Sequence, residues 1–103
     1  MEIHDVKITV LKRTKTNEIF DQYAVGEMTP QCDAVKEGVE YLSKGIQIPA
    51  GFCSWAWSDI QRDVTVLALG GDFPWIKQKG VMISACTDGL RPVIYKLERV
   101  PNK

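Results

Sequence analysis

VMISACTDGLRPVIYKLERV, residues 81–100, contains two strand-like segments separated by a turn. Asp88 and Gly89 form a dipeptide that is typical of tight hairpin turns. Beyond the turn, apolar residues alternate with polar ones, which is the period of a strand with one buried face. The stretch therefore predicts an antiparallel hairpin with strands over residues 81–87 and 92–100.

A helical pattern precedes this hairpin, over residues 54–69. Ser54 is predicted as its N-cap, and two glycines after residue 69 provide a stop signal. The apolar residues at 3.6-residue spacing are Trp57, Ile60, Val64, Leu67 and Ala68. The residues predicted on the polar side are Ser58, Gln61, Arg62, Asp63 and Thr65. Residues 64–66 are β-branched, which favours a strand. The alternative is therefore a shorter helix followed by a buried strand over residues 64–69.

Three shorter elements precede the long helix. HDVKITVLKRT, residues 4–14, predicts a strand, and VEYLS, residues 39–43, predicts a second one. Between them, a short helix is expected to begin after Asn17 and to end at Gly26. Strands and helices interleave, and the last two strands form a hairpin. The sequence therefore predicts one α+β domain over residues 1–103, a two-layer sandwich in which one main helix packs on a small mixed or antiparallel sheet.

Charge and composition limit the classes of partner. The chain has 103 residues, and its 13 basic residues balance 13 acidic ones. This balance gives no electrostatic reason to expect nucleic acid or an anionic membrane as a partner, while it permits a homo-oligomer. No apolar run approaches the roughly 20 residues of a membrane span, and the first residues do not resemble a signal peptide. A cytoplasmic protein is expected.

The three cysteines are the main candidates for chemistry. Cys32 falls in a predicted loop, Cys53 precedes the long helix and Cys86 ends a strand. An odd number of cysteines in a reducing compartment indicates thiols rather than disulfides. If the three sulfurs converge, they could hold zinc, iron or an iron–sulfur cluster. The spacing lacks a C-x-x-C pair, so burial of the cysteines as small apolar residues remains the alternative.

Other residues could complete such a site. Cys53 is the best-placed thiolate, because backbone amides at a helix start stabilise anions. Asp88 and Arg91 flank the hairpin turn, where arginine could bind a small anionic ligand and aspartate could orient it; simple turn chemistry is the alternative. Trp57 is a candidate cofactor contact, with core packing as the alternative. His4 is the only histidine, which excludes a Cys₂His₂ site within one chain.

Four segments carry a family resemblance: EGVEYL, IPAGFCSWAWSDI, VLALGGDFPW and ACTDGLRPVIYKLERV. Together they resemble an uncharacterised family of small three-cysteine bacterial and archaeal proteins with GFCSWAW and CTDGLRP motifs. The matching positions are Cys32, Cys53, Trp57, Cys86, Asp88, Gly89 and Arg91. The resemblance implies no known activity. It implies that the cysteines and the Asp-Gly-Arg turn belong to one site.

Two functions from different classes follow from these residues. The first is a cysteine-centred site that binds a metal or an iron–sulfur cluster, or that uses a thiol in redox or sulfur chemistry. The second is a non-catalytic interaction module or homodimer, in which the tryptophans meet a partner and the cysteines are packing residues. Binding of a small ligand without chemistry would use the same tryptophan and arginine residues as the first function.

Overall fold

The computed structural model describes residues 2–101 and contains one four-stranded antiparallel sheet with two helices. The elements are β1 (Val6–Arg13), α1 (Glu18–Tyr23), β2 (Glu40–Ser43), α2 (Ser54–Ala68), β3 (Val81–Ala85) and β4 (Val93–Arg99). The strand order in the sheet is β2-β1-β4-β3. The predicted α+β class is confirmed, and the sheet is antiparallel throughout.

Strands β1 and β4 form the centre of the sheet. They pair along their whole lengths, from Val6 opposite Arg99 to Arg13 opposite Val93, with an irregularity between Val10 and Lys12. The predicted hairpin is present as the β3–β4 pair, with slightly shorter strands than expected. These pairings place the end of β3, the start of β4 and the end of β1 at the same end of the sheet.

Helix α2 covers one face of the sheet and forms the core with it. Alternate residues of β1 and β4 point to this face, because successive side chains of a strand lie on opposite sides. The large apolar side chains that are fully buried are those of Val6, Ile8, Val10, Ile60, Val64, Leu67, Val93, Tyr95 and Leu97. The arrangement is the predicted two-layer sandwich with one main helix.

The structure settles the alternative that the sequence left open in α2. The helix continues to Ala68, so the β-branched residues at positions 64–66 are helical, and Val64, Leu67 and Ala68 are buried in the core. Two details were wrong. The N-cap is Cys53, and Ser54 is the first helical residue. Asp63, expected on the polar side, is only 3% exposed. Within residues 2–101, no helix is long and apolar enough to cross a bilayer.

Helix α1 is shorter than predicted. It ends at Tyr23 rather than at Gly26, because Ala24 takes an extended conformation. Asn17 occupies the N-cap, although its side chain makes no capping hydrogen bond to the described chain. Phe20 is the buried residue of this helix, and Tyr23 is exposed. Of the apolar helical face formed by Ile19, Phe20 and Tyr23, only Phe20 is therefore buried.

Candidate functional site

A cavity of about 450 Å³ lies at the end of the sheet where β3 meets β4. Its lining includes Cys32, Cys53 and Cys86, which are all half-buried thiols. Tyr95 also lines it. The volume lies within the range of small-molecule sites. The fold therefore brings all three cysteines of the chain around one space, although they are far apart in sequence.

The loop that carries Cys32 is fastened to β1 by Arg13. The backbone N–H and the Nε of Arg13 both donate to the Glu37 carboxylate, each at 2.8 Å. The Nη1 of Arg13 donates to the Cys32 carbonyl at 3.3 Å, and the Gln31 amide donates to the Arg13 carbonyl at 2.9 Å. These contacts hold Cys32 against the cavity. Sequence reasoning missed Arg13, because no local pattern links residues 13 and 37.

The cysteine sulfurs have different surroundings. The backbone N–H of Val93 donates to the Cys86 sulfur at 3.2 Å, while the Cys86 N–H donates to the Val93 carbonyl at 3.1 Å. Cys53 is the N-cap of α2, but its side chain makes no capping hydrogen bond to the described chain. The described chain thus donates a hydrogen bond to the sulfur of Cys86. The sequence had instead favoured Cys53 as the thiolate.

Tyr95 lies in the wall of the cavity, and its side chain is 1% exposed. Its ring packs against Phe52, with ring centroids 5.5 Å apart. Burial first, and then the neighbouring thiols with Cys86 foremost, raise the pKa of the Tyr95 hydroxyl above its usual range. The alternation of apolar and polar residues in residues 92–100 predicts Tyr95 on the buried face of the strand, as a core residue. Its position two residues after Val93, on the same side of β4, is the signal that could have placed it in the site.

Asp59 joins the first turns of α2 to the hairpin turn. Its carboxylate accepts the backbone N–H of Thr87 at 2.7 Å and the Thr87 hydroxyl at 2.9 Å. Both residues line the cavity. This double contact fixes the position of the chain directly after Cys86 relative to the helix that follows Cys53. Asp59 therefore has a positioning role that local sequence could not distinguish from a helix-start carboxylate.

Asp88 and Arg91 both line the cavity, and both also take part in the turn. The Asp88 carboxylate accepts the N–H groups of Leu90 at 3.0 Å and of Arg91 at 3.2 Å, which is ordinary aspartate turn chemistry. The Arg91 Nε lies 3.8 Å from Asp88. This Nε is buried and has no hydrogen-bond partner within residues 2–101. The predicted anion-binding role of Arg91 stays a prediction.

The two tryptophans of the CSWAWS segment differ in location. Trp57 is partly buried against the core and meets Phe52 edge to face, with centroids 6.4 Å apart. It does not line the cavity. Trp55 does line it and is 83% exposed. Trp57 is thus surrounded by core residues, as the alternative of core packing expects. Trp55 is the tryptophan that a molecule bound in the cavity would contact.

Metal binding and family membership stay predictions. Across residues 2–101, no group of three His, Cys, Asp or Glu side chains is arranged so that it could hold a metal ion. The backbone N–H of His4 donates to the Ala68 carbonyl, and His4 does not line the cavity. Comparison with known proteins found no matching family model, no matching curated protein and no matching solved structure.

Proposed function

We propose that the cavity is a thiol redox site that exchanges disulfides with a small sulfur-containing molecule. The observation that carries this proposal is the convergence of all three cysteines on one cavity of about 450 Å³. A thiol pair beside a ligand-sized space is what disulfide exchange needs, because one thiol attacks and a second resolves the mixed disulfide. The proposal also places the chain in a reducing compartment, the cytoplasm, where such thiols persist.

The reaction has two steps and needs no further oxidant. One cysteine thiolate attacks the small disulfide R–S–S–R; a protein–SR bond forms, the S–S bond breaks and one RS⁻ leaves. A second cysteine of the cavity then attacks the mixed disulfide and expels the other RS⁻. The protein has lost two hydrogens as an internal disulfide, and the small disulfide has become two thiols. Cys53 and Cys86 are the proposed pair, with Cys32 as the third thiol at the cavity.

The charges of the lining support a neutral or cationic molecule over the anion expected from Arg91. One guanidinium, that of Arg91, and three carboxylates, those of Asp33, Asp59 and Asp88, line the cavity. A net negative wall raises the local concentration of cations and lowers that of anions. Exposed Trp55 adds an aromatic surface at the cavity, on which the apolar or cationic part of a small molecule can pack.

The test exposes the fully reduced chain to the neutral 2-hydroxyethyl disulfide, followed by an acid quench and intact-mass measurement. We expect a product about 2 Da lighter than the reduced chain, which identifies an internal disulfide. Of the single variants Cys53→Ser and Cys86→Ser, the one that keeps the attacking thiol should accumulate a mixed disulfide instead, and the other should react more slowly. Peptide mapping then identifies the residues that are joined.

The control is the same chain unfolded in guanidinium, which has identical thiols and no cavity. Exchange in the folded chain should be at least about tenfold faster than in this control if the site activates a thiol. Equal or slower exchange by the folded chain, or no internal disulfide within the folded protein, would sink the proposal.

A second candidate function, homodimerisation or partner binding, is favoured by exposed aromatic residues. Trp75 is 68% exposed and packs against Phe73 with ring centroids 5.4 Å apart in the loop between α2 and β3. Aromatic side chains are enriched in protein interfaces. Sedimentation over a range of concentrations tests this. If the chain associates, and Trp75→Gln weakens the association while Trp55→Gln leaves it intact, the result supports an interface at the loop. A monomer at every concentration argues against a homodimer.

A further inference from the structure

We propose that the outer edge of β3 pairs with β3 of a second copy of this chain, antiparallel and about a twofold axis at Ile83. The sheets of the two copies then form one continuous sheet. The inference does not depend on the thiol chemistry, and it places a homodimer at a surface other than the loop of Trp75. Three observations carry it: the unpaired backbone of β3, its apolar side chains and the opposite charges at its two ends.

The first observation is the unpaired backbone along β3, which is an edge strand of the sheet. Gly80 and Cys86, just outside its two ends, are hydrogen-bonded to the backbone of β4. Because inward and outward groups alternate along an antiparallel strand, the backbone groups of Val81, Ile83 and Ala85 point away from β4. Residues 2–101 provide no hydrogen-bond partner for these groups. An edge of this kind is a template for another strand.

The second observation is the apolar character of this edge. The three outward-bonding residues place their side chains on the face opposite α2, because Met82 between them is buried in the core. Residues 81–85 contain no charged residue and no proline, which are common devices that keep edge strands from pairing. The other edge strand, β2, is four residues long and carries Glu40. Of the two edges, β3 is thus the one suited to pairing.

The third observation is that the two ends of β3 carry opposite charges. Lys77 and Lys79 precede the strand and are exposed, while Asp72 beside them is already paired with Arg99. At the other end, residues 86–89 line the cavity, whose wall carries three aspartates and one arginine. An antiparallel twofold arrangement brings the basic end of each copy to the acidic end of the other. The edge is therefore complementary to itself, which identifies a second copy as its occupant.

The twofold axis at Ile83 fixes the register of the pair. Ile83 then lies opposite Ile83 of the second copy, and Val81 lies opposite Ala85. These are outward-facing residues in both copies, so their N–H and C=O groups can exchange hydrogen bonds across the interface. Their side chains form apolar cross-strand pairs, which stabilise a sheet. In the same register Lys79 lies opposite Thr87, so the second copy adds a basic residue beside the cavity of the first.

The test is residue-resolved amide hydrogen exchange, followed by NMR on the full-length wild type. It is performed below and above the dissociation constant that sedimentation gives. The amides of Val81, Ile83 and Ala85 should exchange at least about tenfold more slowly in the dimer than in the monomer. The outward-facing amides of the other edge strand, those of Glu40 and Leu42, should exchange equally in both.

Ile83→Glu is the matching variant, and Leu42→Glu is its control. Both residues are 41% exposed on an edge strand, and each lies opposite a lysine of the neighbouring strand, so a glutamate suits the monomer at either position. Ile83→Glu brings two carboxylates together at the twofold axis and should raise the dissociation constant at least about tenfold. Leu42→Glu should leave it unchanged. An equal change in the two variants overturns the assignment of β3.

The failure of this inference is distinguishable from failure of the proposed functions. If Trp75→Gln weakens association while Ile83→Glu leaves it intact and the β3 amides stay unprotected, the inference is overturned and the loop is the interface. A monomer at every concentration overturns both versions of the homodimer, and the disulfide-exchange rates still decide the thiol site. If Ile83→Glu does not fold, amide protection in the wild type decides alone: fast exchange of the β3 amides in an associated chain overturns the inference.

Discussion

Asp72 illustrates how one carboxylate couples stability to pH. Its Oδ1 accepts the Gly80 N–H at 2.6 Å and lies 3.1 Å from the Arg99 Nη2. The Gly80 N–H first, and Arg99 after it, hold the pKa of Asp72 below its ordinary value. A carboxyl whose pKa is lower in the folded state stabilises the fold above its unfolded pKa, which is about 4. That contribution is lost as the pH falls through the folded value.

We therefore expect Asp72→Asn to destabilise the chain near neutral pH and to have a smaller effect as the pH falls through the lowered pKa of Asp72. Urea unfolding of wild type and variant at several pH values measures the difference in unfolding free energy. Asp21→Asn, at an exposed position of α1, is the matched control and should show a small difference at each pH. If the loss of unfolding free energy in Asp72→Asn stays constant or grows as the pH falls, the Asp72 carboxylate does not have the lowered pKa described above.

Asp63 is a second residue whose contacts predict a measurable effect. It is 3% exposed, and its Oδ2 accepts the Ser84 hydroxyl at 2.9 Å. Ser84→Ala leaves this buried oxygen without that donor, so the unfolding free energy should fall by about 1–3 kcal/mol. Ser58→Ala, at an exposed position of α2, is the comparison and should change stability by less than about 0.5 kcal/mol. Equal effects of the two substitutions would show that the bond contributes nothing.

At the scale of elements, the end of α2 predicts a packing effect. A Cβ at Gly71 would lie 2.8 Å from the Val66 Cγ1 and 3.0 Å from the Val66 carbonyl oxygen. Backbone atoms cannot move aside cheaply, so Gly71→Ala should cost about 1–3 kcal/mol of stability. Gly26→Ala meets nothing within 4 Å and should be nearly neutral. Thermal unfolding compares the two; a Gly71→Ala variant as stable as Gly26→Ala would contradict this close approach.

The elements also show what local sequence can predict. The β3–β4 hairpin and α2 were predictable because their turn residues and periodicities are local. Asp63 was misplaced because its charge was weighed above its spacing: positions 60, 63, 64 and 67 form one helical face. The pairing of β1 with β2 and β4 could not be predicted, since no local pattern states which strands become neighbours.

At the scale of the whole molecule, the cavity depends on contacts between distant segments. Cys32 is held by Arg13, Cys53 caps α2, and Cys86 follows β3. The sequence identified all three cysteines as candidates, but their convergence on one cavity follows from sheet order and from long-range bonds such as Asp59 to Thr87. Tyr95 and Trp55 line the cavity for the same reason, because a strand position and a helix position meet there only when the segments around them are in place.

The assembled cavity carries a charge that no single segment has, and this predicts substrate selection. One arginine and three aspartates give the lining a formal charge of −2, counted as +1 − 3. At low ionic strength the cationic disulfide cystamine should therefore oxidise the chain about tenfold faster than the dianion dithiodiglycolate, after each rate is divided by that of the unfolded chain. The neutral 2-hydroxyethyl disulfide should lie between them.

Salt and one substitution separate this electrostatic effect from shape. Screening above about 0.1 M salt should bring the three normalised rates together, because the Debye length falls below about 10 Å. Asp33→Asn removes one exposed negative charge from the lining and should lower the cation-to-anion ratio, whereas Asp21→Asn, on α1, should preserve it. A dianion that reacts faster than cystamine at low salt would instead assign the governing charge to Arg91, since its guanidinium is the basic group of the lining.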